Sequence, residues 1–110
     1  MVRQIKVAYH PFVIDFLEQL TFELYEKGYF GFYDAACEYI DRMVEDLSFN
    51  IHIKPSKKAP PYFNKYGKNM LYVSYQPNHQ TTWYIFFNVN DNRYLIRYIT
   101  NNHVSGHLLK

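Results

Sequence analysis

One cysteine, four glycines, and no aspartate or glutamate between Leu47 and Asn90 are the main shortages in this sequence. With Cys37 as the only cysteine, no intramolecular disulfide can staple the fold, and a reducing compartment is the natural setting. The glycines (Gly28, Gly31, Gly67, Gly106) are scattered, so no glycine-rich loop cradles a phosphate. The longest apolar run, Trp83 to Phe87, falls far short of the roughly 20 residues needed to cross a bilayer. Arg3 and Lys6 near the start are not followed by an apolar stretch, so no secretory leader is expected and the cytoplasm is the expected location. His103 and His107 are spaced to share a helix face, but no acid or cysteine lies near them, so neither a metal site nor a cofactor is expected.

Aromatic rings are what the sequence has in excess. Twelve tyrosines, nine phenylalanines and one tryptophan make up a fifth of the 110 residues. Each ring buries a large area, which lets a chain of single-domain length build an efficient core. Charge is unevenly spread. Met1 to Asp46 carries four basic against nine acidic residues, a net of −5, and Leu47 to Lys110 carries eight basic residues against Asp91, a net of +7. A basic second half points to a polyanion or an acidic partner, unless the halves neutralise each other where they pack.

The hydrophobic pattern changes period along the chain. Val2 to Tyr9 alternates and predicts a first strand, with Ile5, Val7 and Tyr9 on its better face. His10-Pro11 marks a helix start. Phe12, Val13, Phe16, Leu17, Leu20 and Leu24 then recur at helical spacing until Gly28. A second helix is predicted from Tyr33 to Leu47, with Ala36, Cys37, Ile40, Met43, Val44 and Leu47 as its apolar stripe. Cys37 in that stripe reads as a buried core residue. A short strand is expected at Phe49 to Ile53, followed by an extended loop through Pro55 and Pro60-Pro61. Strands are expected at Met70 to Tyr75, Thr81 to Val89 and Arg93 to Thr100, the last two joined by a tight turn at Asn90-Asp91-Asn92. One α+β domain over residues 1–110 follows: an N-terminal strand, a helical hairpin and a three-strand antiparallel meander in one sheet, with the helices on one face.

That element order, with the meander LYVSYQPNHQTTWYIFFNVNDNRYLIRYITNNH, resembles the RelE/ParE superfamily of type II toxin–antitoxin toxins. The resemblance spans nearly the whole chain. It implies a partly disordered antitoxin as partner and one of two activities: metal-free cleavage of messenger RNA, free or ribosome-bound, or non-catalytic poisoning of DNA gyrase. In the cleaving branch the ribose 2′-hydroxyl attacks the adjacent phosphate. Such a site takes a proton from that hydroxyl, stabilises a dianionic phosphorane and protonates the leaving oxygen. The endoribonuclease is the favoured reading, with the gyrase-binding toxin or a non-toxic binding module as alternatives.

Arg97 is the leading catalytic candidate. It sits in mid-strand between Leu95 and Ile99, where a guanidinium must meet an anion or a carboxylate. It would clamp the scissile phosphate, or else pair with a helix acid such as Glu45 or Asp46. His103, just past the last strand, stands where several RNA-cleaving relatives place a histidine or tyrosine, and an imidazole suits proton transfer near neutral pH. A regular pleat places Tyr98 on the opposite face from Arg97, and continuation of the strand places His103 on the same one. Lys54, Lys57, Lys58, Lys65 and Lys68, interleaved with Tyr62, Phe63 and Tyr66, read as a single-stranded RNA track, lysines on phosphates and rings on bases, to which Arg93 adds a further charge. A solvated loop pinned by its rings would show the same pattern. Some relatives carry a glutamate here as general base; this chain has none, which leaves a lysine, His103 or His52.

Overall fold

The computed structural model describes residues 4–109, so Val2 and Arg3 of the expected first strand lie outside the described residues. Strand β1 (Lys6–Tyr9) leads into helix α1 (Pro11–Glu26), and α2 (Tyr33–Asn50) packs back against it. His10 caps α1: its Nδ1 accepts the Phe12 backbone N–H at 3.1 Å, and Pro11 follows at the first helical position. Gly28, at φ 79°, lies in the turn just past the end of α1. Beyond α2 come a two-residue strand β2 (Lys57–Lys58), then β3 (Leu71–Tyr75), β4 (Trp83–Asn90) and β5 (Arg93–Asn101), and a short helix α3 (Asn102–Ser105). Together they give one five-stranded mixed sheet in the order β1-β5-β4-β3-β2, with β1 parallel to β5 and the remaining pairs antiparallel. The fold is therefore α+β, with a helical hairpin and a mixed sheet.

Two expectations need correction here. Phe49 to Ile53 is not a strand: α2 runs on to Asn50 and a 3-10 turn covers Ile51–Ile53. Ile51 lies one helical step past Leu47, is 2% exposed, and donates its backbone N–H to the Leu47 carbonyl. Burying it by extending the helix outcompetes the local alternation. Cys37 is half-buried on the flank of α2, whereas Ala36, Ile40, Met43 and Leu47 form the buried stripe.

Both faces of the sheet are covered, by different material. Val13 and Leu17 of α1 and Ile40, Met43 and Leu47 of α2 pack with Val73, Trp83, Ile85, Phe87, Ile96 and Ile99. Polar ties fix the hairpin to this face: Trp83 Nε1 donates to Tyr39 Oη at 2.9 Å, and Tyr9 Oη reaches the Val44 carbonyl at 3.4 Å. On the other face Phe63, Met70, Tyr72, Phe86 and Leu109 form a second cluster, flanked by Tyr66, Tyr84 and Tyr98. Phe63 comes from a 3-10 segment, Pro61–Lys65, that folds over the sheet.

The two clusters meet at an irregularity in β5. Phe86 pairs with Tyr98 and Phe87 with Ile96, so Arg97 is an extra residue with no partner on β4. This β-bulge resets the alternation. Ile96 and Ile99, three apart, both pack under the helices, while Arg97 and Tyr98 both meet the 3-10 segment and its exit.

Candidate nucleic-acid interface

The bulge overturns the expectation that Tyr98 faces away from Arg97. Arg97 Nε donates to the Tyr66 carbonyl at 2.9 Å, and the Tyr66 and Tyr98 rings stack with centroids 3.7 Å apart and planes 8° from parallel. The arginine is half-buried, and its two terminal nitrogens have no hydrogen-bond or ion-pair partner among the described residues. The carboxylates that might have neutralised it are elsewhere. Asp46 meets Lys54 Nζ at 2.8 Å and accepts from Asn50 Nδ2 at 3.0 Å, and Glu45 is exposed on α2. A half-buried guanidinium fixed by Nε presents a forked pair of donors, the geometry that recognises a phosphate.

Gly67 makes this approach possible. A Cβ there would lie 2.5 Å from Arg97 Nε and 2.8 Å from its Cδ. Any larger residue would force the arginine off the Tyr66 carbonyl. Counting glycines along the chain could not reveal this role; the only hint in the sequence was that Gly67 directly follows Tyr66 inside the basic stretch.

Tyr98 carries a further property. Desolvation by burial, helped by its hydrogen bond to Tyr66, pushes its phenol up to about 12. At neutral pH the hydroxyl holds its proton, which fits a proton donor rather than an acceptor.

The lysines divide into groups. Lys54 is committed internally: besides Asp46 it donates to the Ser74 carbonyl at 3.1 Å, with its side chain only 20% exposed. It ties α2 to β3 and pairs an acid of the first half with a base of the second. Lys57 and Lys58 are exposed on β2 at the sheet edge, where lysines also discourage edge-to-edge pairing. Lys65 Nζ sits 4.2 Å from the Tyr62 ring centroid and 5.4 Å from that of Tyr66. Lys68 is exposed next to Gly67, and its carbonyl is held by Asn88 Nδ2 at 2.9 Å. Lys57, Lys58, Lys65 and Lys68 have no carboxylate partner among the described residues. The basic surface therefore survives folding largely uncompensated.

His103 is not brought to Arg97. Strand β5 ends at Asn101, whose side chain accepts the backbone N–H groups of His103 and Val104 and so starts α3. The chain turns away before His103 can share the Arg97 face, and its Nε2 rests 3.2 Å from Thr81 Oγ1. Arg97 lies four strand residues, about 13 Å, back from that turn. Arg93, exposed at the opposite end of β5, is a similar distance the other way. His52 is exposed in the 3-10 turn after α2. Arg97, Tyr98, Tyr66, Lys65 and Tyr62 thus form one constellation, with Lys68 beside it, and His103 and Arg93 stand apart.

This constellation lies on an open surface. Hollows of about 290 and 370 Å³ occur on the helical hairpin, one between α1 and α2 and one around Arg42 and Phe49. A shallow cationic and aromatic surface suits an extended polymer better than an enclosed small molecule. No group of three or more potential metal ligands occurs among the described residues, and no helix among them is long and apolar enough to cross a membrane. Comparison with protein-family models, curated proteins and solved structures returned no match, so the function must be argued from this geometry.

Proposed function

We propose that this chain is a RelE/ParE-like toxin of a type II toxin–antitoxin module that binds single-stranded messenger RNA on the loop-covered face of its sheet and cleaves it. The observation that carries the reading is Arg97: half-buried, anchored through Nε, and with no acid beside its terminal nitrogens among the described residues. Its two free donors would take the non-bridging oxygens of the scissile phosphate and stabilise the charge that builds as the 2′-hydroxyl attacks. Tyr98, sent to the same side of the sheet by the bulge, would protonate the departing 5′-oxygen. The lysine-rich stretch would contribute phosphate contacts, and, with no carboxylate in it and His103 standing apart, the proton of the 2′-hydroxyl would pass to a lysine of that stretch in its neutral amine form. Cleavage balances as one proton lost by the 2′-oxygen, one gained by the 5′-oxygen, and a cyclic phosphate left behind.

A gyrase-binding toxin without catalysis has one observation in its favour. Phe12, Phe22, Tyr29 and Phe32 on and near the helical hairpin are each more than half exposed, an apolar surface open to a protein partner.

Induced expression in bacteria, with primer extension on messenger RNA, separates the two. The ribonuclease predicts growth arrest with new 5′ ends, abolished by Arg97→Ala at equal protein level and retained by His103→Ala. Arrest with intact messages moves the activity to gyrase and the hairpin. An absence of arrest removes toxicity altogether.

A further inference from the structure

We infer that Tyr62 and Tyr66 are the two jaws of a clamp for a single nucleobase, with Lys65 occupying the base position in the unliganded protein. The inference rests on the RNA-binding reading and specifies how the strand is held: by one base, most favourably a purine, sandwiched beside the phosphate that Arg97 grips.

The jaws differ in rigidity. One face of Tyr66 is sealed by Tyr98 at 3.7 Å, and the backbone of Tyr66 is pinned by Arg97. Its remaining face is turned to Lys65, because an ammonium cannot fit between rings that are already in contact. Tyr62 is 53% exposed and is braced along its edge by Phe63, at 5.0 Å and 82°. It is the movable jaw. Lys65 Nζ lies over both rings, so their centroids are no more than about 10 Å apart. A base stacked on both sides holds two rings roughly 7–9 Å apart, a spacing within that bound once Tyr62 turns its face to Tyr66.

Relative strength decides which occupant stays. An exposed ammonium over a ring is worth roughly 2- to 5-fold in an equilibrium. A base stacked on a protein ring is worth roughly 5- to 100-fold in affinity. The base therefore displaces Lys65, and the ammonium, released beside the strand, is free to meet the adjoining phosphate. Purines present the larger stacking area and so gain most from two rings. Occupation by Lys65 keeps the rings covered until a nucleotide arrives.

The test uses the full chain and a single-stranded 2′-O-methyl oligonucleotide, which resists 2′-hydroxyl attack, carrying one 2-aminopurine whose fluorescence is quenched by stacking. Wild type is expected to quench it on binding. Tyr62→Leu should lose most of the quenching and about 5- to 100-fold in affinity. Lys65→Met should keep the quenching while the dependence of log affinity on log salt becomes shallower by about 1. Tyr62 and Lys65 are exposed, so neither change threatens the fold, and circular dichroism checks this. Unchanged quenching and affinity in Tyr62→Leu would overturn the clamp while leaving RNA binding intact. Failure of wild type to bind the oligonucleotide at low salt would overturn the RNA-binding reading together with the clamp.

Discussion

The two faces of the sheet solve the same packing problem with different chemistry. Under the helices the buried contacts are dominated by branched aliphatic side chains, with Met43, Trp83 and Phe87 filling the remaining gaps. Against the 3-10 segment most of the contacts are rings, several bearing hydroxyls, with Met70 and Leu109 among them, and a guanidinium reaches in at their margin. Aliphatic interlock holds two helices at a fixed height, and the polar groups described on this face, Trp83 Nε1, Tyr39 Oη and Tyr9 Oη, are engaged in ties to the hairpin. Rings joined edge to face and face to face leave flat surfaces and hydroxyls at the margin, which a ligand can use. On the proposed reading the helical side is scaffold, and the ring side carries the chemistry. A single extra residue in β5 lets one strand serve both, sending Ile96 and Ile99 to the scaffold and Arg97 and Tyr98 to the opposite side.

The division predicts its largest effect on the scaffold. Ile85 is fully buried under the helices and Tyr84, its neighbour, is half-buried on the ring side. Ile85→Ala removes core contacts and leaves a cavity, at a cost of about 2–5 kcal/mol. Tyr84→Leu should cost about 1–2 kcal/mol, since the side chain is incompletely packed. Urea unfolding of both variants makes the comparison, and equal midpoints would erase the distinction between the two faces.

Much of the scaffold was legible in the sequence because its elements have clean periods. The helical stripes and the alternating Ile5, Val7 and Tyr9 each bury one side, and the meander alternates between its two covered faces, so burial imposes a repeat on the residues. The site was legible in its parts and not in its assembly. Arg97 stood out as a charge in mid-strand, and the lysines and tyrosines between Pro55 and Met70 stood out by composition. That Tyr98 joins Arg97 depends on a bulge, and nothing in Arg93 to Thr100 marks which residue will be the extra one. That His103 leaves depends on Asn101 choosing to cap α3, a local hydrogen-bond competition that alternation does not register. Lys54 looked like the other lysines, yet its partner Asp46 is on a different element. Such pairings arise only when the chain folds back.

Gly67 gives the next largest effect and probes the seam between the two regions. Gly67→Ala places a methyl where Arg97 Nε and Cδ now stand, and overpacking of this kind costs about 1–3 kcal/mol. Its effect on activity should exceed its effect on stability, because the arginine must leave the Tyr66 carbonyl to make room. Message cleavage by Gly67→Ala should fall close to the level of Arg97→Ala, with both proteins folded by circular dichroism. Full cleavage by Gly67→Ala would show that the Nε anchor does not position the guanidinium.

Lys54 separates scaffold from site among residues of one type. Lys54→Met leaves Asp46 facing an uncharged chain in a largely shielded position and should cost about 1–2 kcal/mol. Oligonucleotide affinity should be unchanged at temperatures where the variant is folded. Lys57→Met should do the reverse, leaving the unfolding midpoint in place and making the salt dependence of binding shallower. A Lys54→Met protein that stays fully stable but binds RNA more weakly would move that lysine from the scaffold to the interface.

The smallest effect compares one buried phenol from each side. Tyr98 on the ring side has its pKa pushed up to about 12, chiefly by burial. Tyr9 under the helices is also raised by burial, partly offset by its hydrogen bond to Ser48. For either residue, pH below 10 changes nothing, since the phenol is neutral folded and unfolded. Above about 10 the unfolded chain releases the proton and the folded chain keeps it, so stability falls as pH rises until the folded group also ionises, near 12 for Tyr98. Replacing Tyr98 with phenylalanine removes its share of that decline, so the stability of Tyr98→Phe should fall less steeply than wild type between pH 10 and 12. Tyr9→Phe should flatten the same curve less, because a hydrogen bond already favours its ionised form. Urea midpoints measured across this range rank the two variants. A larger flattening from Tyr9→Phe would mean that the helical face, and not the ring face, shields its hydroxyl more completely from water.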